Sequence, residues 1–157
     1  MCFCGIIHLQ RQTKEHQMGW IQNVSMGNIK QGLHADAGHN SMLIQIVDPA
    51  YEFPTPAKQF REVHRFEFLD IETDSPDFDK FDEFAITDAQ AEQLVWLLQH
   101  AKSHNMNVVV HCHAGVCRSG AVCEVGVMMG LQDTKVHRQP NLMVKRKMMQ
   151  VLGWTYD

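Results

Sequence analysis

The run NVVVHC at 107–112, followed at once by HAGVCRSG at 113–120, restricts the fold of this chain more than any other segment. A strand that is apolar without alternation has both faces covered, which is a property of parallel sheets lying between helical layers. The residues after the loop, Ser119 to Met129, predict a helix, with Gly130 as a candidate C-terminal cap. Strand, loop and helix in this order predict a βα unit whose loop lies at the carboxyl end of the strand, where ligands of such sheets bind.

Other elements agree. SMLIQIVD (41–48) is short, rich in β-branched residues and followed by proline, and predicts a strand. EVHRFEFLD (62–70) predicts a second strand ending near Asp70. Thr87 to Lys102 predicts a helix: Thr87 and Gln90 form a capping box, and Ala91, Leu94, Val95 and Leu98 recur at helical spacing. Asn141 is placed to cap a last helix with Val144, Met148, Val151 and Leu152 on one face and Gly153 at its end. Strands alternating with helices predict an α/β domain with a mostly parallel central sheet flanked by helices. With 157 residues and no repeat or linker, a single domain over 1–157 is expected.

Composition narrows the function classes. A hydrophobic content of 45% with 20% charged residues describes a globular chain. The formal net charge of −4 gives no general attraction to nucleic acid or to an anionic membrane, so neither is expected as a partner. No apolar run is long enough to span a bilayer, and the N-terminus has no basic region ahead of its short apolar stretch. Five cysteines without a regular framework fit a reducing, cytoplasmic setting, in which the sequon at Asn23 has no meaning. The ten methionines read as core filler, and VKRK at 144–147 as the solvated face of a helix.

HCHAGVCRSG admits two chemistries. In the first, Cys112 and Cys117 join His100 and His104 in a two-cysteine, two-histidine zinc site. That leaves Gly115, Arg118 and Ser119 without a role. In the second, the loop curls into the positive end of the following helix, and Ala114 and Gly115 are small enough to permit the curl. Successive amides then form an anion nest. Arg118 adds a planar fork that matches two phosphate oxygens. Cys112 at the base of this bowl is favoured as the nucleophilic thiolate.

These residues resemble the His-Cys-x5-Arg-Ser signature of the cysteine-based protein phosphatases in their compact dual-specificity form. The resemblance is specific over 111–120 and looser from about Met42 to the C-terminus, which places the catalytic core at about 42–157. It implies that Cys112 is the nucleophile of a phosphocysteine intermediate, that Arg118 binds the phosphoryl group, and that His113, Ala114, Gly115, Val116, Cys117 and Arg118 cradle it. It implies that Ser119 donates a hydrogen bond to the thiolate and that His111 holds the loop. Cys2 and Cys4 have no arginine at that offset, which separates the chain from the low-molecular-weight phosphatases. Cys117 stands where serine is common; it reads as a small buried residue, with a second reading as a thiol able to trap oxidised Cys112. Cys123 reads as helix core.

The mechanism also needs an acid for the leaving group. Asp70 is the first choice, because it ends a strand at the same sheet edge and is flanked by Leu69 and Ile71, which would partly desolvate it. Asp74 and Asp77 are the alternatives, because the interval from Asp70 to Cys112 is longer than is usual in the family. The expected substrates are phosphotyrosine and also phosphoserine or phosphothreonine in proteins, or small phosphomonoesters, with no metal and no cofactor. Without lysine in the loop, phosphoinositide and RNA-triphosphate substrates rank lower. The rival class is a phosphate-binding interaction module with little turnover.

Overall fold

The computed structural model describes residues 18–154. Cys2, Cys4 and the N-terminal stretch discussed above lie outside the described residues. In chain order the elements are β1 (Trp20–Ser25), α1 (Met26–Gln31), β2 (Ser41–Val47), β3 (Glu62–Glu67), the short α2 (Phe78–Phe81) with a 3-10 turn at Asp82–Phe84, α3 (Asp88–Ser103), β4 (Asn107–Cys112), α4 (Arg118–Met128), the two-residue β5 (Gln132–Asp133) and α5 (Leu142–Val151).

All five strands are parallel, in the order β3-β2-β4-β1-β5. The fold is therefore an α/β domain whose all-parallel central sheet is flanked by helices. β4 is the middle strand, and every residue of it from Val108 to Cys112 is buried; β2 is buried along its whole length. Their unbroken apolar runs follow from this, because the two faces of the sheet have separate cores. Met42, Ile44 and Ile46 of β2 and Val108 and Val110 of β4 pack under α3, α4 and α5. Leu43 and Val109 turn to the other face and pack with Val24, Ile29 and Ala37.

α3 begins as its capping box predicts: the Thr87 side chain accepts from the Gln90 amide, the Gln90 side chain accepts from the Thr87 amide, and Ala91, Leu94, Val95 and Leu98 are buried. α5 is capped by Asn141, whose Oδ1 accepts from the Val144 amide at 3.0 Å. Its buried face is Val144, Met148 and Met149; Val151, expected on that face, is exposed. The helix carries its basic residues outward, where Lys145 and Lys147 pair with Glu124 and Asp88.

Three further differences from the sequence reading concern the sheet and its loops. β3 stops at Glu67, so Asp70 lies in the loop beyond it. α4 starts one residue earlier than expected, at Arg118. β1 was not legible as a strand, yet it pairs with β4 from Ile21 to Ser25, ahead of the Met42 boundary. Asn23, within the sequon, is a buried residue of β1.

A core residue and an edge residue give a direct test. Ile44 is fully buried in β2, whereas Val63 on the edge strand β3 is 42% exposed. Ile44→Ala should destabilise the domain by about 2–5 kcal/mol in urea unfolding, and Val63→Ala by less than about 1 kcal/mol.

Candidate active site

Residues 113–117 connect the end of β4 to the start of α4, and their carbonyl oxygens are held from outside the loop. The His113 carbonyl accepts from the Met26 amide at 3.1 Å. That of Gly115 accepts from Nδ2 of Asn23 at 2.8 Å. Val116 and Cys117 accept from the amides of Gln139 and Asn141 at 3.1 and 3.0 Å. In a planar trans peptide the carbonyl and the following N–H point in opposite directions. Four outward carbonyls therefore turn the amides of Ala114, Val116, Cys117 and Arg118 toward the concave side of the loop, at the N-terminus of α4. No side chain caps this helix.

Gly115 is required here for two reasons. Its φ is +77°, and a Cβ at this position would lie 2.4 Å from the Ser25 amide nitrogen and 2.5 Å from the Val24 carbonyl carbon. The loop is pressed against the end of β1 so closely that only glycine fits.

Cys112 is 2% exposed. Its Sγ accepts from the Gly115 amide at 3.3 Å and lies 3.1 Å from Oγ of Ser119. Each contact can place a proton against the sulfur. Arg118 is also buried. Its Nη1 donates to Oδ1 of Asp48 at 2.7 Å and to the Phe68 carbonyl at 2.8 Å.

A cavity of about 280 Å³ opens over this loop. It brings together Cys112, His113, Ala114, Cys117 and Arg118 with Asp48, Leu69, Asp70 and Ile71 from the loops after β2 and β3. Most of the predicted site residues thus meet in one place. Gly115 and Val116 face a separate cavity behind the loop. His111 and Ser119 are buried beneath the loop and do not line the opening.

Asp70 reaches the cavity wall, where its Oδ1 accepts from Nδ2 of Asn141 at 2.8 Å. It is exposed there, so the desolvation expected from Leu69 and Ile71 is not realised. Asp74 and Asp77 are exposed further along the loop and do not line the cavity. Asp48 is a cavity residue that sequence reasoning missed. Its signal was its place at the carboxyl end of a buried strand.

Cys117 is half-buried and forms part of the cavity wall, in place of the small buried residue expected. Burial first, then the charges of Asp70 and Cys112, push its thiol up. Cys123 is core as expected, and burial pushes it up to about 12.

The zinc arrangement does not assemble. His100 bonds Glu62 at 3.0 Å, stacks on Trp96 and lies with its ring tilted against that of His104. Glu62 opens β3, at the end of the sheet opposite to Cys112. The i, i+4 spacing paired the histidines with each other, and the length of the sheet keeps them from the cysteines. Among the described residues no three of His, Cys, Asp or Glu group as a metal site.

No family model matches the sequence, and no curated protein matches it. Among solved structures the chain is similar to OH1 from the Orf virus, described as a tyrosine phosphatase with distinct structural features and triple substrate specificity. Identity is 20%, the TM-score is 0.45, and the match covers 73% of this chain and 58% of that one. The chain thus spans less than two thirds of that protein. Among the described residues no helix is long and apolar enough to cross a membrane.

His111 gives this site a pH dependence in stability. Burial lowers its pKa from 6.5 to about 4; a bond to the Cys112 carbonyl opposes the shift and the Arg118 charge adds to it. Nδ1 donates to that carbonyl at 3.2 Å, and Nε2 is buried without a partner, so the ring is neutral. The unfolded chain takes up this proton more readily than the folded one. The stabilisation is therefore complete above pH 6.5 and is lost as pH falls toward about 4. Its full size is about 3 kcal/mol. His111→Asn should show a flatter decline than the parent in urea unfolding across this window.

Proposed function

We propose that this protein is a cysteine-dependent phosphatase that hydrolyses phosphomonoesters, with phosphotyrosine, phosphoserine and phosphothreonine in proteins as substrates. The observation that carries this reading is the loop of outward-held carbonyls with the Cys112 sulfur at its base. Such a loop stabilises an anion over a nucleophile.

In this mechanism the dianionic phosphoryl group sits in the nest of amides beside Arg118. The Cys112 thiolate attacks phosphorus, a P–S bond forms, and the P–O bond to the leaving group breaks. Asp70 gives its proton to the departing oxygen. Water then attacks the phosphocysteine, Asp70 recovers a proton from that water, and inorganic phosphate leaves. Ser119 donates to the sulfur as it regains its charge, which makes the thiolate a better leaving group. His111 is neutral and buried, and its contact with the Cys112 carbonyl holds the strand end from which the nucleophile projects. The nest concentrates positive potential from peptide dipoles and Arg118 where negative charge builds up in the transition state, and this interaction supplies most of the rate. A cavity of about 280 Å³ has room for a small phosphomonoester as well as for a phosphorylated side chain.

p-Nitrophenyl phosphate should be turned over in the presence of a chelator. Cys112→Ser should abolish that turnover and leave oxyanion binding largely intact, because the amides and Arg118 remain and a serine hydroxyl is not ionised at neutral pH. Substantial activity in the serine variant would remove Cys112 from this role.

The acid is tested by the leaving group. Asp70→Asn should slow hydrolysis of alkyl phosphates by about a hundredfold to ten-thousandfold, and of p-nitrophenyl phosphate much less, since that leaving group needs little protonation. Asp74→Asn and Asp77→Asn should behave as the parent. If one of them shows the leaving-group dependence in place of Asp70→Asn, the acid lies further along the loop.

A further inference from the structure

Arg118 is nearly enclosed, with a side chain 5% exposed, yet only one of its three nitrogens has protein partners. Nη1 makes both bonds, to Asp48 at 2.7 Å and to the Phe68 carbonyl at 2.8 Å. Nε is buried and has none. A buried donor without a partner costs free energy, and Arg118 lines the cavity, so a ligand bound there can supply what the protein does not. The guanidinium is rigid and planar, and two acceptors on one terminal nitrogen determine how it is turned.

We propose that Asp48 is a positioning residue. Together with the Phe68 carbonyl it holds Nη1 of Arg118, so that the Nε–Nη2 edge is presented to two oxygens of the phosphoryl group. The proposal rests on the reading of Arg118 as a phosphate ligand. It assigns a task to a carboxylate that is otherwise out of place, since a negative charge in the wall of a dianion site opposes binding. The fold makes the pairing possible. Asp48 directly follows β2, Arg118 opens α4 after β4, and β2 and β4 are neighbours in the sheet. Phe68 lies just beyond β3, so the arginine is held by two strand ends and not by its own loop.

Charge and geometry predict opposite signs, which makes the proposal testable. If Asp48 acted only through its charge, its removal would strengthen anion binding. If it positions Arg118, removal weakens binding by about ten- to a hundredfold, the size of one charge-assisted hydrogen bond. The probe is tungstate, titrated calorimetrically against the intact chain, with p-nitrophenyl phosphate turnover measured on the same samples. Asp48→Ala should bind tungstate more weakly and lower kcat/KM by a similar factor. Asp48→Asn keeps the acceptor oxygen and should restore both to within a few fold. In an Arg118→Lys background, Asp48→Ala should cost less than about twofold, because the fork it orients is gone. If Asp48→Ala does not fold, Asp48→Glu moves the acceptor by one methylene and should show the same weakening. Unchanged or tighter tungstate binding in the alanine or glutamate variant overturns the proposal, as does an undiminished loss in the lysine background. If the parent binds tungstate but turns nothing over, the phosphatase reading falls while the variants still decide the role of Asp48. If the parent binds no tungstate, both fall.

Discussion

The loop from His113 to Cys117 is shaped by hydrogen bonds that it accepts, and the rest of the site depends on them. Its carbonyls are held by the start of α1, by Asn23 of β1, and by Gln139 and Asn141 ahead of α5. These four donors come from three places, none of them within the loop. The loop is therefore not a local turn that any glycine-containing sequence would adopt. It is over-determined by three parts of the chain that converge at the carboxyl end of the sheet. The same bonds that remove the carbonyls from the cavity give it its donors. Asn23 has the largest share, since its amide also donates to the His137 carbonyl at 2.9 Å and so ties the loop to the segment after β5.

A second constraint is the burial of charge. Arg118 lies in the interior, and a cation there needs a partner to offset its desolvation. Asp48 and the Phe68 carbonyl supply this, while Asp48 itself stays partly open to solvent. The site thus contains a cation fixed from behind, a sulfur fixed from below by Gly115 and Ser119, and a neutral imidazole packed beneath. None of these groups has much freedom to move. Most of the positioning is done before any ligand arrives, and ligand binding then costs little ordering entropy.

The elements that could be read in advance were those whose local chemistry and tertiary role agree. β2 and β4 are apolar because both faces are covered, and α3 carries its own capping box and an apolar stripe. β1 failed this test. WIQNVS mixes Ile21 and Val24 with Gln22, Asn23 and Ser25, and those polar residues serve other segments: Asn23 holds the 113–117 loop, Gln22 accepts from the Ala35 amide, and Ser25 caps α1. A strand whose polar positions answer to partners outside the sheet has no periodic signature. The histidine pair misled in the opposite sense. Spacing placed His100 and His104 together correctly, but only the sheet shows that they lie at its far end, with Glu62.

Cysteine, glycine, arginine and serine in HCHAGVCRSG are set by chemistry that acts over a few bonds: a thiol at a strand end, a residue without Cβ at a crowded bend, a fork and a hydroxyl on the first turn of a helix. That chemistry depends on spacing along the chain, so it could be read from the sequence alone. The partners of those groups could not. Asp48 and Asn141 reach Arg118 and Asp70 across about 70 residues, and which carboxylate stands at the cavity wall depends on where β2 and β3 end relative to β4. Parallel strand order and register decide that, and both follow from the burial of two apolar faces at once, an outcome of the whole chain's packing that no segment encodes by itself.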